Sequence, residues 1–413
     1  MRKAETPAGP LAGIRVLDLS RILAGPWCAQ ILGDLGAEVI KVEQPGMGDD
    51  SRKWGPPFLD DGSGDSAYFA CANRNKSSIA VDIANPQGAA LIRRLAEQSD
   101  VVLENFRVGG LAKYGLDYES MKAVNPKLIW CSITGFGQYG PYKDRGGYDF
   151  LIQGMSGLMS VTGRPDGAPG EGPLKAGIPI ADLTTGLYSA IAVLAALHHR
   201  DVTGEGQRID TALLDTMVAL TANQSAGWLN GGFAPPRMGN AHPTVTPYQD
   251  FACADGTVLV ALGNDRQYRG FCRLLGRGDL ADDPALATNA GRAAQRERML
   301  AALESETARW RADELIAAME AAKLPGGKVN TIPEALADPQ IAARGLVREM
   351  ERPDGTPVRV LGFPPQLSAT PASYRKAPPR SGEDTRSVLA AQLGLDESEI
   401  EALLAAGVIA DRL

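Results

Sequence analysis

Short apolar strands alternate with helices through the first third of the chain, and this alternation limits the possible folds more than any other feature. Residues 14–19 form a β-rich run, a helix begins near Pro26, and residues 37–43 form the next strand. This unit spans about 30 residues, which is the size of a βαβ element with parallel strands. Further strands are expected at 78–82, 101–104 and 128–132, with helices between them. The sequence therefore predicts an α/β fold with a doubly wound, mostly parallel, Rossmann-like sheet.

The chain changes character after these repeats. Residues 154–177 are rich in Gly and Pro and predict an irregular loop, which a buried, apolar helix over 184–199 follows. The composition shifts to Gly, Pro and Asn over 227–247, which marks a domain boundary. Beyond it, a hairpin around Asp255-Gly256 and several helices predict a smaller α/β domain. A mixed segment from about residue 332 ends in an amphipathic helix.

Three compositional features exclude whole classes of function. The net charge is −7 and the basic residues are scattered, so we expect no nucleic-acid partner. Five cysteines without a CxxC pair and only three histidines do not favour zinc, disulfide or Ser-His-Asp chemistry, and we expect no metal. No window approaches the roughly 20 uninterrupted apolar residues that a membrane helix needs. The first 13 residues lack an apolar core, so we expect no secretion signal, no membrane association and a cytoplasmic location.

Asp182 is the main candidate for a reactive group. It follows a glycine- and proline-rich approach and is expected where a short apolar strand ends and the buried helix begins. A carboxylate at a helix start is stabilised by the N-terminal amides and dipole, so a simple helix cap is one interpretation. The shape of the approach favours a second one, a carboxylate that is held near a ligand as a covalent nucleophile. Position alone leaves both open.

The loops after the predicted strands carry further candidate ligand groups. Residues 20–26 contain Gly25 before a helix start, which suits an anion, although an ordinary βα turn fits the pattern equally well. Residues 73–76 (Asn-Arg-Asn-Lys) and 105–107 (Asn-Phe-Arg) suit phosphate and amide or purine edges. Solvated loop charges are the alternative for both of these segments.

A dense glycine pattern marks one more loop. Residues 134–141 carry three glycines in eight positions, which indicates a loop that runs under a ligand. Tyr148 and Asp149 follow it, either as groups that orient a substrate or as core residues with satisfied hydrogen bonds.

Taken in order, these segments resemble the class III CoA-transferase family over nearly the whole chain. The ordered set is more specific than any single run. The matching runs are Val16-Leu-Asp-Leu-Ser20, Ala24-Gly-Pro26, Leu35-Gly-Ala-Glu-Val-Ile-Lys-Val-Glu43, Asn73-Arg-Asn-Lys-Ser77, Val102-Leu-Glu-Asn-Phe106, Ile133-Thr-Gly-Phe-Gly137, Gly147-Tyr-Asp149, Ala181-Asp182, Thr203-Gly-Glu-Gly-Gln207, Gly263-Asn-Asp-Arg-Gln267 and Ala405-Ala-Gly-Val-Ile409.

The resemblance implies roles for individual residues. Asp182 matches the family's catalytic aspartate, which passes through an aspartyl anhydride and an aspartyl-CoA thioester in a ping-pong reaction. Coenzyme A thioesters are then substrates, and no cofactor is bound permanently. The residues expected to contact coenzyme A are Leu23, Ala24, Gln44, Asn75, Lys76, Ile83, Asn105, Phe106, Arg107, Lys113, Tyr148 and Asp149.

The resemblance also implies an assembly and a domain plan. Two chains form an interlocked homodimer, with each chain threaded through the other. Residues 1–225 and 332–413 together make the large domain, and residues 226–331 make the small one.

Two departures from the family pattern bear on the substrate. Gln44 and Leu23 stand where the formyl-CoA:oxalate branch has Arg and Gln, which argues against oxalate as acceptor. The likeness is greatest to the succinyl-CoA:dicarboxylate branch, through runs such as Gly48-Asp-Asp-Ser-Arg52 and Trp54-Gly-Pro-Pro57. The donor acid and the acceptor stay open among four- to six-carbon dicarboxylates. The arginines considered for a distal carboxylate are Arg52, Arg74 and Arg237.

Two other functions compete with transfer. The α-methylacyl-CoA racemases share the fold, but they carry a histidine where this chain has Tyr148, and racemisation needs acid and base groups on both faces of the α-carbon. A non-catalytic CoA-binding protein is the third class, and an intact Asp182 argues against it.

Overall fold

The computed structural model describes residues 9–59 and 62–411. Its strands are β1 (Arg15–Asp18), β2 (Glu38–Glu43), β3 (Lys76–Val81), β4 (Val101–Glu104), β5 (Ile129–Thr134), β6 (Gly163–Arg164), β7 (Gly172–Pro173), β8 (Arg208–Ala212), β9 (Tyr248–Cys253), β10 (Gly256–Ala261), β11 (Gly326–Gly327), β12 (Val347–Glu351), β13 (Pro357–Leu361) and β14 (Ile409–Ala410). Its α-helices are α1 (Ala24–Asp34), α2 (Ala67–Ala70), α3 (Pro86–Glu97), α4 (Tyr118–Val124), α5 (Asp149–Met155), α6 (Leu158–Val161), α7 (Ile180–Thr203), α8 (Leu213–Leu220), α9 (Ala222–Gly231), α10 (Asp265–Leu274), α11 (Gly278–Ala281), α12 (Asn289–Ala294), α13 (Arg296–Thr307), α14 (Ala312–Ala321), α15 (Ile332–Leu336), α16 (Pro339–Ala343), α17 (Thr385–Leu393) and α18 (Glu397–Ala405).

A seven-stranded sheet organises the first part of the fold. Its strand order is β14-β3-β2-β1-β4-β5-β8, and every neighbouring pair is parallel except β14 with β3. From β1 the chain adds β2 and β3 on one side, then returns to add β4 and β5 on the other. The predicted α/β fold with a mostly parallel, doubly wound sheet is confirmed. The reversal creates a switch point between β1 and β4, which is where such sheets bind ligands.

Helices cover both faces of this sheet, which explains why its strands are apolar on both sides. In β1, Val16 belongs to a core that it shares with Leu32 of α1 and Val193 of α7. The next residue, Leu17, belongs to the opposite core, together with Leu91 of α3. Successive strand residues point to opposite faces, so both cores need apolar side chains.

Contacts divide the described chain into two compact units. The first contains the residues up to 158, with 176–222 and 342–411, and the second contains Met159–Lys175 and Asn223–Ile341. The second unit therefore includes residues 159–175, which the sequence analysis assigned to the large domain. The second unit also contains residues 223–225 and 332–341, so the domain plan with boundaries at 225 and 331 differs from these units in three places and stays a prediction.

Helix α7 is longer than predicted. It spans 24 residues, Ile180–Thr203, and no strand lies between β7 and this helix in the described chain, so the expected strand up to Asp182 and the helix start at 184 are wrong. A short apolar run fits a strand and a buried helical turn equally well, and here Ala181 and Thr185 are buried at helical spacing. The helix is long and apolar enough to pass a length and composition test for a membrane span. Its buried residues pack in the first unit's core, which accounts for part of that composition.

The second unit has its own small sheet. Strand β10 pairs antiparallel with β9 and with β11. The predicted β9–β10 hairpin is present, and it turns at Ala254-Asp255, one residue before the expected Asp255-Gly256. The segment predicted as an irregular loop, 154–177, is partly regular, because it contains α6 and the β6–β7 hairpin. Both strands of that hairpin are two residues long, too short for a periodic pattern to reveal.

Candidate active site

A cavity of about 600 Å³ opens at the carboxyl ends of the parallel strands. Its walls come from the loops after β1 to β5, from residues 143–148 and from the start of α7. Loops after β1 and β4 both contribute, so the cavity lies at the switch point of the sheet. The sequence candidates that line it are Leu23, Ala24, Gln44, Ile83, Asn105, Phe106, Arg107, Lys113, Tyr148 and Asp182.

Asp182 lines this cavity from the first turn of α7, as the third residue of the helix. Pro179 occupies the N-cap position and no side chain caps the helix, so the interpretation of Asp182 as the cap is wrong. Its carboxyl group has no hydrogen bond or ion pair to another described residue. Burial, and then the nearby charge of Asp149, raises the pKa of Asp182 to about 7. When ionised, this carboxylate is poorly solvated and unpaired, which suits a nucleophile.

A glycine contact lets helix α7 approach α1 closely. A Cβ atom at Gly186 would lie 2.6 Å from the carbonyl oxygen of Ala24 and 3.0 Å from the Trp27 ring. Only glycine fits this contact without displacing a helix. Asp182 lies one turn before Gly186, so the same contact brings its helix start to the wall that Ala24 forms.

The carboxylate of Asp149 accepts a hydrogen bond from the first turn of α7. Its two carboxylate oxygens accept hydrogen bonds from the backbone N–H of Ala181, at 2.8 Å, and from the Gln153 side chain, at 2.7 Å. Asp149 is not among the residues that line the cavity, whereas its neighbour Tyr148 lines it and is 67% exposed. The structure therefore places Asp149 as a support for the helix that carries Asp182.

Two glycine-containing loops touch at one cavity wall. A Cβ atom on Gly135 would lie 2.5 Å from the Cα of Gly147, and the reverse contact is equally short. This close backbone approach is the reason for glycine at both positions. The contact places Lys143 and Arg145, which precede Gly147, at the cavity.

Five cations line the cavity beside four acidic residues, Glu43, Asp82, Asp144 and Asp182, and the cations suit a polyanionic ligand. Arg21 pairs with Asp50 at 3.1 Å, whereas Arg107, Lys113, Lys143 and Arg145 form no ion pair with a described residue. The guanidinium of Arg145 instead lies over the ring of Tyr142, 4.5 Å from its centre. The cations that line the cavity are Arg21, Arg107, Lys113, Lys143 and Arg145. Sequence reasoning missed Lys143 and Arg145, although their position between two glycine-containing loops was a usable signal.

The structure does not bring Asn75 and Lys76 to the cavity. The Lys76 ammonium is fully buried and donates to Asp18 at 2.9 Å, to Asn73 and to a backbone carbonyl. The Asn75 side chain donates to Asp34 at 2.7 Å and accepts from the backbone of Arg375. These groups are engaged in the core of the first unit, so they hold the fold together and are not placed to meet a ligand.

The three arginines considered for a distal carboxylate are likewise engaged elsewhere. Arg52 is buried in ion pairs with Glu43 at 2.7 Å and Asp65 at 2.8 Å. Arg74 is buried against Asp34, and Arg237 pairs with Asp166 in the second unit. None of these three arginines lines the cavity. No group of three or more His, Cys, Asp or Glu side chains suited to a metal ion occurs in residues 9–59 and 62–411.

Comparison with known proteins decides the family. The sequence profile of CoA-transferase family III matches residues 11–385. The chain belongs to CoA-transferase family III. A succinate–glutarate CoA-transferase of Agrobacterium fabrum is 50% identical over 384 residues, which cover 92% of this chain and 95% of that protein. A succinyl-CoA:glutarate CoA-transferase of Mus musculus is 41% identical over 405 residues, covering 97% of this chain and 90% of that protein.

A solved structure shares the fold over nearly the whole chain. A CAIB/BAIF family protein from Brucella suis is 48% identical, with a TM-score of 0.82, and the match covers 93% of this chain and 100% of that one. The protein is therefore a CoA-transferase with a mixed α/β fold, and its substrates are CoA thioesters.

Proposed function

We propose that this CoA-transferase moves coenzyme A from succinyl-CoA to a dicarboxylate acceptor, with Asp182 as the nucleophile. The observation that carries the proposal is an unpaired Asp182 carboxyl group in a cation-lined cavity of about 600 Å³. The activities for which the relatives are named support this choice of acids. These relatives are 36–50% identical and include CoA-transferases that use succinyl-CoA or succinate with glutarate, D-citramalate or mesaconate.

The reaction consists of acyl exchanges at one carboxylate. The ionised Asp182 attacks the thioester carbonyl of succinyl-CoA, the C–S bond breaks, and a mixed anhydride and the CoA thiolate form. The thiolate then attacks the aspartyl carbonyl, which releases succinate and leaves an aspartyl-CoA thioester. The acceptor carboxylate attacks that thioester, and the same two steps in reverse yield the new acyl-CoA and free Asp182. No net proton transfer is needed, and none of the three histidines lines the cavity.

The cavity residues divide between the two ends of this substrate. We assign the thioester to the part of the cavity that Asp182 lines, since Asp182 has to reach the thioester carbonyl, and Tyr148 and Ala24 line the same cavity. Arg107 and Lys113 are cations without an ion pair among the described residues, and they suit the phosphates of coenzyme A. The proposed coenzyme A contacts are Leu23, Ala24, Gln44, Ile83, Asn105, Phe106, Arg107, Lys113 and Tyr148.

The substrate assignment predicts a selective product pattern. Incubation with succinyl-CoA and a panel of four- to six-carbon dicarboxylates is expected to yield a new acyl-CoA from at least one dicarboxylate, detected by mass spectrometry. Monocarboxylates of matched chain length are the control and are expected to react poorly. Transfer to monocarboxylates alone would overturn the dicarboxylate assignment. Exchange of the α-proton of a branched acyl-CoA for deuterium, without transfer, would point to the racemase alternative.

We further propose that the protein is a cytoplasmic homodimer with interlocked chains. One face of α7 supports a partner, because Leu187, Ile191 and Leu194 recur at helical spacing and are 48%, 62% and 36% exposed. Sedimentation velocity is expected to show two chains per particle. Two differently tagged preparations are expected not to exchange subunits on mixing, but to form mixed dimers after joint refolding. A monomer, or rapid exchange, would contradict the interlocked dimer.

A further inference from the structure

Side chains that are distant in the sequence hold the β1–α1 loop (residues 19–23) at successive backbone positions. The ammonium of Lys41 donates to the carbonyl of Ser20 at 3.0 Å. The Asn105 side chain brackets Arg21, because its Oδ1 accepts from the Arg21 N–H at 2.9 Å and its Nδ2 donates to the Arg21 carbonyl at 2.7 Å. This loop is therefore built as a rigid part of the cavity wall.

The next residue, Ile22, has an unusual backbone conformation. Its φ is +72°, in the left-handed region that β-branched residues rarely adopt. Such a conformation persists only where the surroundings enforce it. Both carboxylate oxygens of Asp49 accept hydrogen bonds from the Ile22 N–H, at 3.1 and 3.2 Å. Among the groups that hold this loop, Asp49 is thus the one that contacts the backbone of Ile22 itself.

Asp49 is itself a fixed anion. It is 1% exposed and pairs with the Lys41 ammonium at 2.8 Å. The backbone N–H and the hydroxyl of Ser51 donate to its Oδ1 at 2.9 and 2.7 Å. Burial acts to raise the pKa of Asp49, but the charge of Lys41 and these hydrogen bonds lower it to about 2. Asp49 does not line the cavity, so it can affect the binding of a ligand only through the conformation of the β1–α1 loop.

The conformation of Ile22 sets the direction in which the chain enters helix α1. Arg21, Ile22, Leu23 and Ala24 all line the cavity. The backbone N–H groups at the start of α1 have no partner within the helix, so they are available to an anionic or polar ligand. We propose that Asp49 is a positioning residue for coenzyme A, because it holds Ile22 in the left-handed conformation and thereby orients this part of the wall. The inference rests on the proposed use of the cavity as the coenzyme A site.

The test compares coenzyme A binding with turnover in Asp49→Asn. The amide loses the charge that pairs with Lys41 and one of the two acceptors for the Ile22 N–H. We expect the Kd of free coenzyme A, measured by calorimetry, and the KM of succinyl-CoA each to rise about tenfold. We expect kcat to change much less, because Asp182 and its helix are not touched by Asp49.

Asp34→Asn is the matched control. Asp34 is also fully buried in an ion pair, with Arg74, but it lies at the opposite end of α1 from the loop. This variant is expected to lose stability without a rise in the Kd of coenzyme A. An equal rise in both variants would show that Asp49 acts only on general stability, and would overturn the inference.

Ile22→Gly separates positioning from structural support. Glycine adopts the left-handed conformation without an enforcing contact. Asp49→Asn is therefore expected to raise the KM of succinyl-CoA less in the Ile22→Gly background than in the wild type. An undiminished effect would contradict the proposed route through Ile22.

A milder variant covers the case in which Asp49→Asn does not fold. Ser51→Ala removes one hydroxyl donor from Asp49 and is expected to raise the Kd of coenzyme A two- to threefold, about the effect of one weakened hydrogen bond. A wild-type Kd in folded Ser51→Ala or Asp49→Asn would overturn the inference. Failure of the wild-type protein to bind coenzyme A would instead contradict the proposed function.

Discussion

Replacing Asp182 by asparagine is expected to reduce transferase turnover by about a thousandfold or more, because the amide cannot form the anhydride or the thioester. The fold is expected to survive, since the Asp182 carboxyl makes no hydrogen bond or ion pair with another described residue. After an acid quench with succinyl-CoA, wild-type protein is expected to carry coenzyme A as a covalent adduct on the peptide that contains residue 182. Asp182→Asn is expected to carry none. Intact-protein and peptide mass spectrometry measure both results.

Asp201→Asn is the matched control for this experiment, because Asp201 is an exposed acid at the other end of the same helix. It is expected to keep wild-type turnover and to form the adduct. An adduct in Asp182→Asn, or turnover close to wild type, would remove Asp182 as the nucleophile.

The pH dependence follows from the same carboxyl group. Burial and the charge of Asp149 raise the pKa of Asp182 to about 7, so the reactive ionised fraction increases as the pH rises. The kcat/KM for succinyl-CoA is therefore expected to rise up to about tenfold per pH unit below 7 and to level off above it. The raised pKa also means that protonated Asp182 stabilises the fold at acid pH, and that this stabilisation disappears as the pH rises through about 7. At pH 8, Asp182→Asn is expected to melt at a higher temperature than the wild type.

Gly186→Ala is expected to destabilise the protein by about 1–3 kcal/mol, the usual cost of overpacking a close contact. The added methyl group would lie 2.6 Å from the backbone oxygen of Ala24, which has no freedom to rotate away. Helices α1 and α7 then have to separate, and both carry cavity residues. We therefore expect turnover to fall at least about tenfold even below the melting temperature, since small displacements of a nucleophile are costly. Thermal melting and steady-state kinetics measure the two effects.

Gly270→Ala serves as the control for the glycine experiment. Gly270 lies inside α10, and a methyl group there would meet only the Leu324 side chain, at an ordinary 3.4 Å. Alanine is the better helix former, so this variant is expected to be neutral or more stable by about 0.5–1 kcal/mol. A Gly186→Ala protein as stable and active as Gly270→Ala would show that the α1–α7 contact adjusts freely.

The local pattern of the chain was sufficient for most strands of the large sheet, although not for β14, and for most of the helices between them. Strand β4 was predicted at its observed bounds, and a helix, α3, follows β3 as expected. These signals depend on periodicity and on residues close in the sequence. The family match depends on the order of short runs along the chain, and this order can be read from the sequence without the structure.

The start of α7 shows where local signals were ambiguous. The apolar run before Asp182 suited a strand as well as a helix, and burial against α1 decided for the helix. That outcome moved Asp182 from a supposed cap position into the first turn, where its carboxyl group is unpaired.

The sequence by itself determined the alternating α/β fold and the family, and it singled out Asp182 as the candidate nucleophile. Only the tertiary structure decided which polar residues face the cavity. Lys76, Arg52 and Arg74 have the same charge as Lys113 and Arg107, but their carboxylate partners lie 58, 9 or 13, and 40 residues away in the chain. A buried cation needs such a partner, whereas a cation at the cavity wall keeps its charge available to a ligand. Whether a given lysine or arginine is buried in an ion pair or faces the cavity depends on the neighbours that folding brings to it.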